Sequence, residues 1–324
     1  MSSNRDIGDV APTSLSHLIG QRSVIEQVSV ALEACFADNK KFDHALLVGP
    51  PGVGKSSLAH VIAAEMATEL HEVLGQSITC AADLNALLLA AKDKDVVHVD
   101  EAHELDKEFQ TALYLAMDQR RIVLNTRSKA GPQSIPLADF TLLLSTTDEY
   151  GLLAPLRDRM RLVLRFQFYT VEELTTVLLQ RSRALGWPVH EELLPLIAER
   201  SRGTPRLALR LLQACRRVCR AEGENTITVE HLRRACELEG IDALGLGPTE
   251  QQYLDALAEG ATRLNVIASL LGLPARTVSQ VIEPFLLRSG LIVKDDQGRR
   301  ELTAKGRERL TQSQELPDEM EDQS

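Results

Sequence analysis

Ala45-Leu46-Leu47-Val48-Gly49-Pro50-Pro51-Gly52-Val53-Gly54-Lys55-Ser56-Ser57 is the stretch from which the rest of this 324-residue chain can be read. Leu46 to Val48 has the apolar character of a buried strand, and Ser57 to Leu70 carries helical periodicity, so a glycine-rich turn joins a strand to a helix. Its glycines let successive N–H groups turn inward toward phosphate oxygens. The helix beginning near Lys55 adds the positive end of its dipole. Lys55 supplies a point charge and Ser56 a hydroxyl for Mg²⁺, the division of labour expected of G-x-x-x-x-G-K-[ST]. The segment Gly49, Pro50, Pro51, Gly52, Val53, Gly54, Lys55 and Ser56 is therefore expected to cradle a nucleoside triphosphate.

Outward from that loop the chain supplies further stations in order. Leu15 to Gln21 leads into a helix from Arg22 to about Phe36, and Asp83 to Lys92 carries leucines at helical spacing. Asp95 to Val99 reads as a second strand and ends in Asp100-Glu101-Ala102-His103. Two acidic residues at a strand end, forty-five residues beyond Lys55, suit a metal-and-water station: Asp100 to hold Mg²⁺, Glu101 to orient or deprotonate the attacking water. A single histidine after such a pair more often tethers its loop than catalyses. His98 and His103 lack a second ligand at metal spacing, so no structural metal is expected. Gln110 to Arg120 is a further helix. Arg121 to Leu124 and Ser134 to Leu137 flank the polar turn Ser128 to Pro132 as a hairpin, either an ordinary sheet edge or a protrusion toward a partner.

Phe140 to Leu144 is the next strand, delivering Ser145, Thr146 and Thr147 at the carboxyl end, where ligands of parallel sheets sit. Pro155-Leu156-Arg157-Asp158-Arg159-Met160-Arg161 follows. Three arginines there are expected either on a solvated face or, in a ring-forming ATPase, as an arginine offered to a neighbour's nucleotide. From Thr170 the pattern is helical: Val171 to Leu185, Glu191 to Ser201, Pro205 to Ala221 and Val229 to Glu239. Thr204 is a good N-cap and Pro205 suits the first helical position, which puts Arg206 on the first turn, able to reach back toward phosphate. After a glycine-rich linker, helices over Gln251 to Glu259, Asn265 to Leu271 and Ala275 to Ser289 precede a hairpin of Leu291 to Val293 and Arg300 to Leu302. Three helices and a hairpin read as a winged helix, either a nucleic-acid reader or a protein-contact module.

Bulk properties limit the alternatives. A hydrophobic share of 44% and a charged share of 25% are those of an ordinary globular protein. No apolar run approaches membrane-spanning length and the N-terminus lacks a signal-peptide core, so no membrane partner and a cytoplasmic location are expected. The five cysteines are odd in number and form no C-x-x-C pair, which suits reduced thiols. A net charge of −10 argues against a protein that coats nucleic acid by charge alone, while leaving local contacts open. The expected organisation is a loose arm over 1–14, a parallel α/β domain with helices on both faces over 15–169, an all-α lid over 170–240, a linker over 241–248, a winged helix over 249–310 and an acidic disordered tail over 311–324.

With these stations placed, the chain resembles the RuvB family, the AAA+ Holliday-junction branch-migration ATPases. The resemblance runs from about Leu15 to Gly306. It is carried by Ile19-Gly20-Gln21, Asp43-His44, Gly49 through Ser56, Asp100 through His103, Thr146-Thr147, Pro155 through Arg159, Phe168-Tyr169, Arg202-Gly203-Thr204-Pro205-Arg206 and Glu283-Pro284. It implies an AAA+ P-loop sheet followed by a lid and a winged helix, with ATP and Mg²⁺ as cofactors. Lys55, Ser56 and Ser57 would bind phosphates and Mg²⁺, with Asp100 and Glu101 as the acidic pair. Thr146 or Thr147 would be the first sensor, Arg159 the arginine given in trans and Arg206 the second sensor, with Ile19 and Tyr169 beside the base. Family members work as hexameric rings around the duplex arms of four-way junctions together with a RuvA-type protein, whose docking hairpin corresponds to residues 121–137. In the wing, Lys294 and Arg299 fall at basic positions and are the expected DNA contacts. The chain departs from the family at Ala11-Pro12, at Asp148, in a shortened hairpin bearing Arg120, Arg121 and Arg127, and at Asp295-Asp296 within the wing. An AAA+ regulator or protein-remodelling ATPase with the winged helix as an interaction module is the alternative reading.

Overall fold

The structure is a computed structural model and describes residues 10–124, 133–260 and 262–314. Residues 1–9 of the expected arm, the turn around Arg127 and Ser128 to Pro132, and residues 315–324 of the expected tail lie outside the described residues. The N-terminal part runs α1 (Arg22–Asp38), β1 (Ala45–Val48), α2 (Lys55–Glu65), β2 (Leu70–Leu74), α3 (Ala81–Ala90), β3 (Val96–Asp100), α4 (Lys107–Gln119), β4 (Arg121–Leu124), β5 (Gln133–Pro136), β6 (Thr141–Thr146), α5 (Ala154–Arg157) and β7 (Leu162–Arg165). Five of the strands form one parallel sheet in the order β2-β3-β6-β1-β7.

The central strands are apolar because both of their faces are covered. Val97 and Val99 of β3, with Leu142 and Leu144 of β6, point into a core that holds Leu88, Leu113 and Leu156. Val96, Leu143 and Leu47 point the other way, onto Val28, Leu58 and Ile62 of α1 and α2. This double burial is what parallel strands between helical layers require. The two outermost strands, β2 and β7, were not legible in the sequence. Both are only partly buried, so they lack the continuous apolar run that betrays β1, β3 and β6. The helix expected to reach Leu70 ends at Glu65, where Ala67 takes a left-handed backbone (φ 52°), and the residues from Leu70 onward pair with β3 instead.

The helical remainder runs α6 (Val171–Leu185), α7 (Leu193–Glu199), α8 (Pro205–Ala221), α9 (Val229–Glu239), α10 (Pro248–Ala258), α11 (Leu264–Leu270), α12 (Ala275–Thr277), α13 (Glu283–Arg288), β8 (Ile292–Lys294), β9 (Arg300–Leu302) and α14 (Ala304–Gln314). Thr170 begins α6 with a reciprocal capping box to Glu173. The described chain forms two compact units: one up to Ala198 with Gly203–Gln213, the other Glu199–Arg202 with everything described from Ala214 onward. In the second unit, Tyr253, Leu254, Ile267, Val278, Leu286 and Leu302 close one apolar core. The single helix expected over Ala275 to Ser289 is broken by a π turn at Val278–Ile282, just ahead of Pro284, which has no N–H to continue the ladder. Helix α14 occupies the first residues of the stretch expected to be a tail. Among the described residues no helix is long and apolar enough to cross a membrane.

One buried group sets an acid limit on the first unit. His44, just before β1, accepts the Leu142 N–H at Nδ1 (2.8 Å), and its Nε2 lies 3.1 Å from Lys41 Nζ. Burial first, then the Lys41 and Arg161 charges, push its pKa down to about 3; Asp43 opposes them and Arg120 adds to them. The ring is neutral in the fold, whereas unfolding at pH 5 exposes an imidazole of ordinary pKa, about 6.5, that takes up a proton. Stability is thus unaffected above pH 6.5 and is lost progressively as pH falls from there toward 3. Unfolding free energy measured in urea is expected to drop by about 2 kcal/mol between pH 7.5 and 5.0 through this residue. His44→Gln should flatten that part of the slope, and an unchanged slope would refute the assignment.

Candidate active site

The P-loop leaves the carboxyl end of β1 and enters α2. Gly52 (φ 77°) and Gly54 (φ 100°) hold left-handed backbone, and a Cβ on Gly52 would stand 3.0 Å from Arg206 Cβ. Alanine at Gly52 would therefore be strained by the backbone and would crowd Arg206. Lys55 is buried, and its ammonium donates to the carbonyls of Gly49 and Pro50, each at 2.8 Å. Burial lowers its pKa and the nearby Arg206 charge acts in the same direction, against the opposing pull of Glu101 and Asp100. Arg206, on the first turn of α8, donates its backbone N–H to Gly52 O at 3.3 Å. The second-sensor candidate thus sits on the loop itself.

Across from the loop, β3 delivers Asp100. Its Oδ2 accepts the Ser56 hydroxyl at 2.8 Å and its Oδ1 accepts the Glu101 N–H at 2.9 Å. A hydroxyl and a carboxylate in contact at the mouth of a phosphate cradle are the hard oxygen donors that magnesium takes. Glu101 holds a left-handed backbone (φ 49°) although it is not glycine, a conformation that costs on the order of 1 kcal/mol and tends to mark working residues. Gly75 is needed beneath it, since a Cβ there would lie 2.6 Å from Glu101 O. His103 ties this turn to the next strand: its Nδ1 stands 3.1 Å from Thr146 Oγ1 and 3.5 Å from the Glu101 carboxylate.

The two threonines differ. Thr146 is fully buried, and its hydroxyl accepts the Asp148 N–H and reaches the Asp148 carbonyl. Thr147 is exposed and lies in the bend just after β6. Behind Asp100 lies a polar chain that sequence reasoning did not find: buried Ser145 Oγ is 2.7 Å from His98 Nε2, and His98 Nδ1 is 2.8 Å from Glu72. Finding it required knowing that Glu72 lies on a strand beside β3.

An apolar cavity of about 520 Å³ opens beside the loop, lined among others by Ile19, Leu18, Gly54, Ser57, Tyr169 and Leu209. Its size is that of a small-molecule or cofactor site. Gly20 is required next to it, because a Cβ would lie 2.8 Å from the Tyr169 ring. Burial pushes the Tyr169 phenol up to about 12. Arg181, also lining the cavity, was not singled out by the sequence.

Arg159 is elsewhere. Leu162 pairs with Ala45 and Arg165 with Val48, so the residues before Leu162 lie at the amino edge of the sheet, where Arg161 bonds Asp43 at 2.9 Å. The P-loop leaves the carboxyl edge, about 13 Å away along four residues of strand. In the winged helix, Arg299 is exposed, while Lys294 Nζ lies 2.6 Å from the fully buried Glu283, which also receives Arg300 and the Tyr253 hydroxyl. Asp295 accepts the N–H groups of Gln297 and Arg299 and so builds the turn.

Two groups of three side chains among the described residues could hold a metal ion, His71 with Glu69 and Asp95, and His231 with Glu222 and Glu224. Asp95 accepts the N–H groups of Lys92 and Glu69, and His231 Nδ1 accepts the Thr228 N–H. Both groupings brace turns.

Three family models match the chain in sequence: the Holliday junction DNA helicase RuvB P-loop domain over residues 10–166, the RuvB AAA lid domain over 169–242 and the RuvB C-terminal winged helix domain over 243–311. A Holliday junction branch migration complex subunit RuvB of Kosmotoga olearia is 38% identical over 307 residues, covering 91% of this chain and 90% of that protein. One from Parafrankia is 39% identical over 294 residues, covering 89% and 83%. The solved structure of the Thermotoga maritima RuvB Holliday junction branch migration motor superposes with a TM-score of 0.81 at 33% identity, covering 93% of this chain and 98% of that one.

Proposed function

The chain belongs to the RuvB family, and on that premise we propose that it is the ATP-hydrolysing motor subunit that drives branch migration of Holliday junctions. The observation that carries the chemistry is the meeting of Ser56, Asp100 and Glu101 beside the buried Lys55 at the carboxyl edge of the sheet. In ATP, Lys55 gives up its two loop carbonyls for phosphate oxygens, and the N–H groups of the loop hold the same phosphates. Ser56 and Asp100 are the residues that would hold magnesium, which when bound neutralises charge on the β- and γ-phosphates. Glu101 accepts a proton from the water that attacks the γ-phosphorus as the bond to the ADP oxygen breaks. Thr147 senses the γ-phosphate, a reading supported by the commitment of the Thr146 hydroxyl to Asp148 and His103. Arg206 reaches the phosphates from the lid side, and Ile19 and Tyr169 flank the base.

Subunits assemble as a hexameric ring in the cytoplasm, each giving Arg159 to its neighbour and together gripping the duplex arms of a four-way junction. In the wing, Arg299 is the freer of the two expected DNA contacts, since Lys294 is spent on Glu283. The hairpin of β4 and β5, with Val123 exposed, faces a RuvA-type junction-binding protein. ATP turnover measured with synthetic four-way junctions and such a protein, beside a size measurement in ATP, tests the reading. Stimulation of several-fold that falls with salt is expected. Turnover indifferent to all DNA would favour the protein-remodelling alternative.

A further inference from the structure

Arg159 is held unusually firmly for a residue at a subunit surface. Its Nε donates to Asp118 Oδ1 at 2.7 Å, its Nη2 donates to Asp118 Oδ2, and its Nη1 donates to Pro155 O at 2.6 Å. The guanidinium also lies over the Tyr114 ring, 4.8 Å from its centroid. Three of its five N–H donors are thus spent within its own subunit, leaving two. Asp118 and Tyr114 are one turn apart on α4, and the aspartate stands in that helix's last turn, one residue before Gln119.

Stability does not explain this arrangement. Arg159 is 30% exposed and Asp118 44% exposed, and ion pairs that open to water add little. A carboxylate in the last turn of a helix also meets the negative end of the dipole and is misplaced there unless a cation answers it. What the contacts do is remove the rotamer freedom of a long side chain and fix the plane of its fork. The helix has a second tie. Fully buried Gln110 near its start donates to Leu105 O and accepts the Leu153 N–H, both at 2.8 Å. One rigid element therefore spans from the segment just after Glu101 to the side chain that fixes Arg159.

We propose that Asp118, with Tyr114 beneath the guanidinium, is the positioning residue of the trans-acting arginine, holding Arg159 as a preformed fork whose two remaining donors serve the neighbouring subunit's γ-phosphate. This rests on the reading of Arg159 as an arginine given in trans. A side chain already fixed in its working geometry loses less freedom on reaching the transition state. The Arg159 guanidinium in turn keeps the Asp118 carboxyl below the usual carboxylate range, so the pair stays charged across neutral pH.

Mixed-subunit ATPase assays test it with the full chain. Asp118→Ala alone should lower kcat by about ten-fold or more, with KM changed less than about two-fold. Its own nucleotide site is intact and only the arginine it lends is loose. Adding Lys55→Ala subunits, which cannot turn over but lend a sound arginine, should restore activity. Adding Arg159→Ala subunits should not, since both partners then damage the lent half. Asp118→Glu, which keeps the carboxylate, should retain more activity than Asp118→Asn, separating the role from a folding defect. Complementation of Asp118→Ala by Arg159→Ala, failure of rescue by Lys55→Ala, or turnover at or above the parent's would each overturn the proposal. The control mixture of Arg159→Ala with Lys55→Ala reads the underlying premise: if that pair fails to complement, the trans reading itself falls, whatever Asp118→Ala does.

Discussion

Glu101→Gln is expected to retain ATP yet release phosphate at least about 100-fold more slowly than the parent, the usual scale for losing a general base. The amide keeps the size of the side chain and can keep its contact with His103, so the left-handed turn above Gly75 survives the change. What is lost is the capacity to take the proton of the attacking water. Equilibrium binding of a fluorescent ATP analogue and a phosphate-release assay separate the two effects. Lys55→Ala differs in kind, because removing the cradle's charge abolishes retention as well as turnover. Normal phosphate release by Glu101→Gln would remove Glu101 from the mechanism. The same assays distinguish the two threonines. Thr147→Val should slow turnover with little change in melting temperature, whereas Thr146→Val removes a hydroxyl that braces Asp148 and His103 and should lower the melting temperature.

How far the sequence revealed this site follows from where each residue gets its neighbours. Lys55, Ser56, Asp100 and Glu101 were legible because a glycine-rich turn and a strand-end acidic pair mark them locally, and the apolar runs of β1, β3 and β6 gave the layer that brings them together. Helix α8 was legible because Thr204 and Pro205 mark its start, and the helical pattern over Val229 to Glu239 matches α9, which in the fold Thr228 caps and Gly240 closes. Strands β2 and β7 were not, since an edge strand covered on part of its surface shows neither a continuous apolar run nor a clean alternation. Missing β2 also hid the chain from Glu72 through His98 to Ser145, whose members are brought together by strand pairing rather than by spacing. The lysine of the wing illustrates the opposite limit: its position in the sequence marks it as basic, but only the fold shows Glu283 buried beneath it. Likewise nothing near Asp118 in sequence points to Arg159, 41 residues away.

Arg159→Ala is expected to be the most damaging change outside the P-loop, with turnover reduced about 1,000-fold or more, as when other phosphoryl-transfer enzymes lose an arginine supplied by a partner. The position of the residue makes the form of the defect predictable. Arg159 lies at the amino edge of the parallel sheet and Lys55 at the carboxyl edge, because β7 and β1 run side by side from Leu162 and Ala45 to Arg165 and Val48. A guanidinium placed there is expected to serve a second molecule. Subunits carrying Arg159→Ala keep a whole nucleotide site and lack a donor; subunits carrying Lys55→Ala keep the donor and lack the site. Each is expected to be inactive alone, and a mixture should recover a fraction of parental turnover that varies with mixing ratio, since only junctions pairing a sound site with a sound donor hydrolyse ATP. ATP binding by Arg159→Ala should be nearly unchanged, because charge on the transferring phosphoryl group is answered by the arginine mainly in the transition state. Turnover by Arg159→Ala that does not respond to added Lys55→Ala, at any ratio and at concentrations where the parent assembles, would mean that the site is completed within one subunit.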